Sequence, residues 1–259
     1  MEQDDEQSNL IDFQEILQSE VYVDLERLRI LARQGIPHQI RGEVWKYLLG
    51  VQQADRSKEL SNTKERSKEY EQMDKSDRDI AKRIRGEVSR YQRRVRQLEG
   101  KHYAQAFEDI ILAYLNANRD IEYSPALVSL CAPFIYTFEK ECDAYYCFER
   151  LMQSIDEEVG SSEWSTSWLQ NLLAKEMQLE DLLHLWDFYF SINEPLDFHP
   201  FVCLSILRIA KDSLEELEQS EIRTVLLRLP SFNMRMIIAD AVSIRHETLE
   251  RQLSEDAGL

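Results

Sequence analysis

The stretch Gly35–Gly50, GIPHQIRGEVWKYLLG, decides how the rest of the chain is read. Gly35-Ile36-Pro37 resists helix formation, because proline lacks an amide hydrogen and pushes the residue before it toward extended backbone. Val44, Tyr47 and Leu48 then recur at helical spacing, with Trp45 and Leu49 widening the apolar face. Gly50 falls where a C-terminal cap belongs. Arg41 precedes Trp45 by four residues, which places both on one helix face. A guanidinium beside an apolar face needs a partner if it is buried. Taken alone, the stretch is equally an ordinary amphipathic helix with a solvated arginine.

Composition narrows the surroundings of that helix. The chain has 259 residues, 43% of them hydrophobic and 31% charged, enough for a sizeable core and globular in balance. Only 7 glycines and 6 prolines are present, fewer than a β-rich chain of this length needs for its turns, so an all-α fold is expected. A net charge of −17 argues against nucleic acid as a partner and against an anionic membrane surface. Cys131, Cys142, Cys147 and Cys203 form no CxxC pair and read as buried thiols of a reducing compartment. His38, His102, His184, His199 and His246 are scattered, so no metal site and no cofactor are expected. The opening MEQDDEQSNL has no signal-peptide character, and the longest apolar run, Leu127–Phe138, is too short to span a bilayer. A cytoplasmic chain without direct membrane insertion follows.

In order, residues 1–9 read as frayed, and Ile11–Gln34 as one or two amphipathic helices. Val51–Asp77 has almost no large apolar residues and is either an exposed helix or a mobile connector. Asp77 is placed to cap a helix striped by Ile80, Ile84, Val88, Tyr91, Val95 and Leu98 and ended by Gly100. Between Arg78 and Lys101 stand nine Lys/Arg against three Asp/Glu, a basic helix in an acidic chain. Such a run is either a solvated face or a binding surface. Phe107–Leu115 marks the next helix, and Arg119–Pro125 a loop. Ala126–Phe138 is apolar all round and central, with Pro133 as its kink point. Asp143–Ile155 is helical and aromatic-rich, and Asp156–Ser162 a polar break. A helix opens at Trp164 and runs through Trp168 to Leu173, and Leu179–Phe190 is a strong apolar helix. Pro195 and Pro200 bracket a loop, Phe201–Ala210 is apolar, Leu214–Leu217 is a turn, and Ile222–Leu229 and Met234–Leu249 close the chain as helices.

The ordered set of motifs resembles the TBC domain of Rab GTPase-activating proteins. The family's Gly-Ile-Pro turn, Arg-x-x-x-Trp and Leu-Leu-Gly stand here as Gly35-Ile36-Pro37, Arg41, Trp45 and Leu48-Leu49-Gly50. Its Ile-x-x-Asp-x-x-Arg is matched by Ile84, Glu87 and Arg90, with Glu for Asp, its later helix by Ile110–Tyr114, and its Leu-Trp-Asp by Leu185-Trp186-Asp187. The resemblance implies residues 1–30 as an N-terminal helical extension, 31–250 as the TBC-like domain and 251–259 as a flexible tail. It implies a single all-α, multi-helix domain that supplies an arginine and a glutamine in trans to a GTPase, which itself holds the nucleotide and Mg²⁺. Arg90 is then the candidate arginine finger, and Arg85, Glu87, Arg90, Arg93, Arg94 and Tyr123 the candidate GTPase-binding residues. Arg41, Trp45, Trp186 and Asp187 are structural motif residues, with an ion pair of Arg41 to Asp187 or to Glu87 as the hypothesis for the buried guanidinium.

Three departures qualify that picture. The Tyr-x-Gln position reads Tyr123-Ser124-Pro125, and proline can neither donate nor accept through its side chain. Tyr91-Gln92-Arg93 follows Arg90 where the family places Thr-x-Pro, so nothing stops the helix there, and Arg90 lies about 200° round from Val88, toward solvent. Met152 and Trp164 stand twelve apart, so the domain is shortened in the middle by a helix pair. Three functions remain: an active dual-finger activator, a TBC module that binds a Rab-like GTPase in its GTP form with catalysis weak or lost, and a non-catalytic scaffold or adaptor among other protein subunits. The second is the reading adopted, with a place at endomembranes reached through the partner.

Overall fold

The computed structural model describes residues 2–156, 163–215 and 217–257, with backbone alone for residues 2–8, 156, 163–166, 212 and 255–257. Most of the polar break expected over Asp156–Ser162 lies outside the described residues. The chain divides into two compact units, Met1–Val159 and Gly160–Leu259.

The first unit holds α1 (Glu2–Leu17), α2 (Leu25–Ala32), α3 (Arg41–Leu48), α4 (Glu59–Gln72), α5 (Arg78–Arg94), α6 (Lys101–Ala117), α7 (Ala126–Thr137) and α8 (Glu141–Asp156). Among the described residues the all-α expectation holds, the β-structure amounting to one antiparallel bridge between Tyr22 and Asp55. The centre is α7, as its sequence requires: every residue from Leu127 to Ile135 is buried, Pro133 included. Trp45 of α3 meets Phe134 of α7 edge-on, ring centroids 5.6 Å apart. Of the stretch 1–9, read as frayed, residues 2–9 instead lie in α1, which begins at Glu2. That helix is anchored by buried Phe13 and Ile16 and by paired bonds from Arg27 to Glu15 at 3.3 Å. Within the segment 51–77, Glu59–Gln72 form an exposed helix, α4, whose one buried residue is Tyr70. The Tyr70 hydroxyl donates to Glu141 of α8 at 2.6 Å.

The second unit holds α9 (Glu163–Gln170), α10 (Leu179–Ser191), α11 (Pro195–Glu215), α12 (Gln219–Leu227) and α13 (Met234–Ala257). Two expectations fail here. Pro195 and Pro200 do not bracket a loop; both lie in α11. Proline at the first helical position loses no intrahelical bond, because the amides of the first turn have no acceptor in the helix. Pro200 forfeits one such bond, and the buried run beyond it, Val202, Cys203 and Ile206, holds the helix on its neighbours. The helix from Trp164 stops at Gln170 rather than at Leu173. Leu172 and Leu173 take positive φ values of 46° and 62°. The left-handed backbone costs about 1–2 kcal/mol per residue, which burial of each leucine, worth about 1.5–3 kcal/mol, offsets. Only the cysteine at 142 departs from the buried-thiol reading, being half-exposed; Cys131, Cys147 and Cys203 are buried and free.

Candidate GTPase-facing site

Helix α5 carries most of the candidate residues. Asp77 caps it, its carboxylate accepting from the amides of Asp79 at 3.0 Å and Ile80 at 2.9 Å, as its position ahead of the apolar stripe requires. Ala81, Ile84, Val88 and Tyr91 are buried, which turns the basic residues outward. The helix does not continue to Gly100. It ends at Arg94, and Arg96–Leu98 form a 3₁₀ turn. The stripe still reaches Leu98, which is buried, because the turn folds back under the helix end. Gln92 holds that reversal, its amide donating to the carbonyls of Leu98 at 2.7 Å and Gly100 at 3.1 Å.

Arg90 is exposed to 64%, and its guanidinium is held one turn back by Glu87, with Nε donating to Oε2 at 3.1 Å. Glu87 is therefore Arg90's partner on α5. The cause is local: positions three apart on a helix are neighbours. Arg85 pairs with Glu108 of α6 at 3.2 Å, Arg93 donates through Nε to the Ser89 carbonyl at 3.2 Å, and Arg94 lies over the Tyr91 ring at 5.2 Å.

Tyr123 reaches the same face from the loop before α7. The guanidinium of Arg83 lies over its ring, 4.7 Å from the centroid. Burial raises the Tyr123 phenol above its ordinary range and the Glu87 carboxylate adds to the rise, while Arg83 and Arg90 oppose it. Glu87, Arg90, Arg83 and Tyr123 thus form one electrostatic group. Arg83 was missed in the sequence, although Arg83, Glu87 and Arg90 share one face at spacings of four and three. Its contact with Tyr123 spans forty residues, which no local spacing reveals. Pro125 stands at the start of α7 with φ −56°, and the Ser124 hydroxyl accepts from the Ala126 amide at 3.3 Å. Those two positions shape the helix entrance, and Pro125 has no side-chain group with which to hold a water. An incoming phosphate would compete with Glu87 for Arg90, and its charge would be stabilised by the guanidinium.

The structural motif residues are interior. Arg41 is 6% exposed and donates to the Ile36 carbonyl at 2.8 Å, tying α3 to the Gly-Ile-Pro turn. Gly50 ends α3 at φ 70°, in the left-handed region that suits glycine. Trp45 is wholly buried in the first unit, Trp186 and Asp187 in the second. The Trp186 indole donates to the Leu172 carbonyl at 3.4 Å, which fixes the left-handed turn.

This order of motifs on an all-helical frame defines a class, the helical domains of Rab GTPase-activating type. The Rab-GTPase-TBC domain model matches residues 38–157 and 153–215, and the chain belongs to that family. The two matched stretches overlap at 153–157. The chain is 23% identical over 295 positions to GTPase-activating protein gyp1 of Schizosaccharomyces pombe, covering 86% of this chain and 57% of that one. That alignment is longer than the 259-residue chain itself, so it is gapped opposite residues that only the relative has. TBC1 domain family member 22A of Homo sapiens is likewise 23% identical over 296 positions, covering 86% of this chain and 57% of the relative. The chain thus spans a little over half the length of these relatives. Among solved structures, the Ypt/Rab-GAP domain of Gyp1p superposes with a TM-score of 0.80 at 18% identity, covering 94% of this chain and 99% of that one.

Proposed function

We propose that the chain engages a Rab-type GTPase in its GTP form through the exposed face of α5, and that its own acceleration of hydrolysis is weak or lost. Arg85, Glu87, Arg90, Arg93, Arg94 and Tyr123 make up the docking face, with Arg90 as the remaining finger. The observation that carries this reading is the pairing of an exposed Arg90 beside Tyr123 with a proline at 125. The first offers positive charge to a transferring phosphoryl group. The second offers nothing to the attacking water, so any residual hydrolysis depends on the GTPase's own glutamine. Such a protein regulates an enzyme rather than being one.

No described helix is long and apolar enough to cross a membrane. In this reading the protein works in the cytoplasm and is brought to endomembranes by its GTPase. The test is capture of a full panel of Rab proteins loaded with GTP or GDP. Selective retention of at least one GTP-loaded member is expected. No binding in either state, together with stable co-purification of other subunits, would replace this reading with that of a helical adaptor.

A further inference from the structure

The end of α5 carries a groove of about 510 Å³, lined by Ser89, Gln92, Arg93, Arg96 and Glu99. Ser89, Gln92 and Arg93 share one face of α5 at spacings of three and one, and Arg96 joins them on the groove wall from the 3₁₀ turn. The groove is preformed. Gln92 spends its amide on the carbonyls of Leu98 and Gly100, which locks the 3₁₀ turn against the helix, and Leu98 is buried beneath it. Its cations are only partly used. Arg93 donates Nε to the Ser89 carbonyl, which leaves its terminal nitrogens without a partner among the described residues. The Arg96 side chain makes no ion pair or hydrogen bond with another described residue.

We infer that this groove is a docking site for an acidic polypeptide segment of the partner GTPase, adjoining the Arg90 face and fixing which partner is accepted. The inference rests on the reading of α5 as the docking helix. Two features select a peptide carboxylate over a lipid or a free phosphate. The chain carries a net charge of −17, which repels an anionic membrane as a whole while leaving a local basic groove effective at short range. Glu99 on the wall disfavours a dense polyanion and suits a segment of mixed charge. The two guanidinium forks beside the Ser89 hydroxyl supply the bidentate donors that a carboxylate, like a phosphate, accepts.

The experiment measures binding of the full chain to the GTP-loaded Rab panel at low and high salt. It compares the wild type, Arg93→Gln/Arg96→Gln, Arg93→Glu/Arg96→Glu, and the charge-matched control Lys64→Glu/Lys68→Glu on the exposed face of α4. Circular dichroism checks each fold. The expected result is that charge reversal in the groove weakens binding about tenfold or more and flattens its salt dependence. The glutamine pair should fall between, and the α4 control should stay within about twofold of wild type. A GTPase that binds all four proteins alike overturns the groove and removes Arg93 from the docking face, while leaving the reading of α5 around Arg90 standing. No GTPase bound by the wild type overturns both. Capture of vesicles of 20% phosphatidylserine, or of inorganic phosphate, by the wild type and not by the charge-reversed variant overturns the peptide assignment.

Discussion

Glycine at 42 shows what a single residue fixes. A Cβ built there would meet the Phe138 ring and the Thr137 carbonyl oxygen at 3.2 Å, so α3 approaches the end of α7 as closely as a missing side chain allows. Alanine would gain at most about 1 kcal/mol of helix propensity. Overpacking costs about 1–3 kcal/mol, and the carbonyl, being backbone, yields less than a ring would. Gly42→Ala is therefore expected to destabilise the protein by about 1 kcal/mol, read as a lower urea midpoint with an unchanged slope. Arg90 belongs to the same scale. Its bond to Glu87 is an exposed one of little stabilising value, so removing Arg90 should leave the fold intact and affect only what binds there.

Among the elements, α9 and α11 are joined by a buried histidine. His199 Nε2 donates to the Trp168 carbonyl at 2.8 Å, and Nδ1 accepts from the Tyr189 hydroxyl at 2.5 Å, an arrangement that requires the neutral ring. Burial lowers its pKa from 6.5 to about 4, partly countered by the Trp168 bond. A histidine with a depressed folded pKa is protonated more readily in the unfolded chain. Its contribution is complete above pH 6.5 and is lost as the pH falls toward 4, by about 3 kcal/mol at most. Urea unfolding at pH 7 and pH 5 should show this slope in the wild type and a shallower one in His199→Gln. An equal slope in both would remove the histidine from the account. Element boundaries also show what the sequence could and could not say. The cap at Asp77 and the apolar α7 were legible because each is decided by its neighbours in sequence. The early end of α5 was not, since it depends on Gln92 reaching carbonyls six and eight residues on. Nor was the left-handed Leu172–Leu173 turn, held by an indole fourteen residues away.

For the whole molecule, the fold class was legible from few turn residues and from motif order, and membership of the Rab-GTPase-TBC domain family agrees. The site was legible only in part. Arg90 and Glu87 lie on one helix and could be paired by spacing, whereas Arg83 over Tyr123 depends on how α5 packs beside the loop before α7. The proposed function rests on that assembled face and on what stands at position 125. An arginine finger is worth about 10³–10⁵ in rate where the water is also positioned, and proline cannot position it.

Single-turnover GTP hydrolysis by a Rab panel, with the wild type and Arg90→Ala side by side, tests this most directly. We expect the GTP-loaded protein that binds to hydrolyse slowly with the wild type, and any small acceleration to vanish with Arg90→Ala. Strong acceleration by the wild type, or any acceleration that survives Arg90→Ala, would contradict the account.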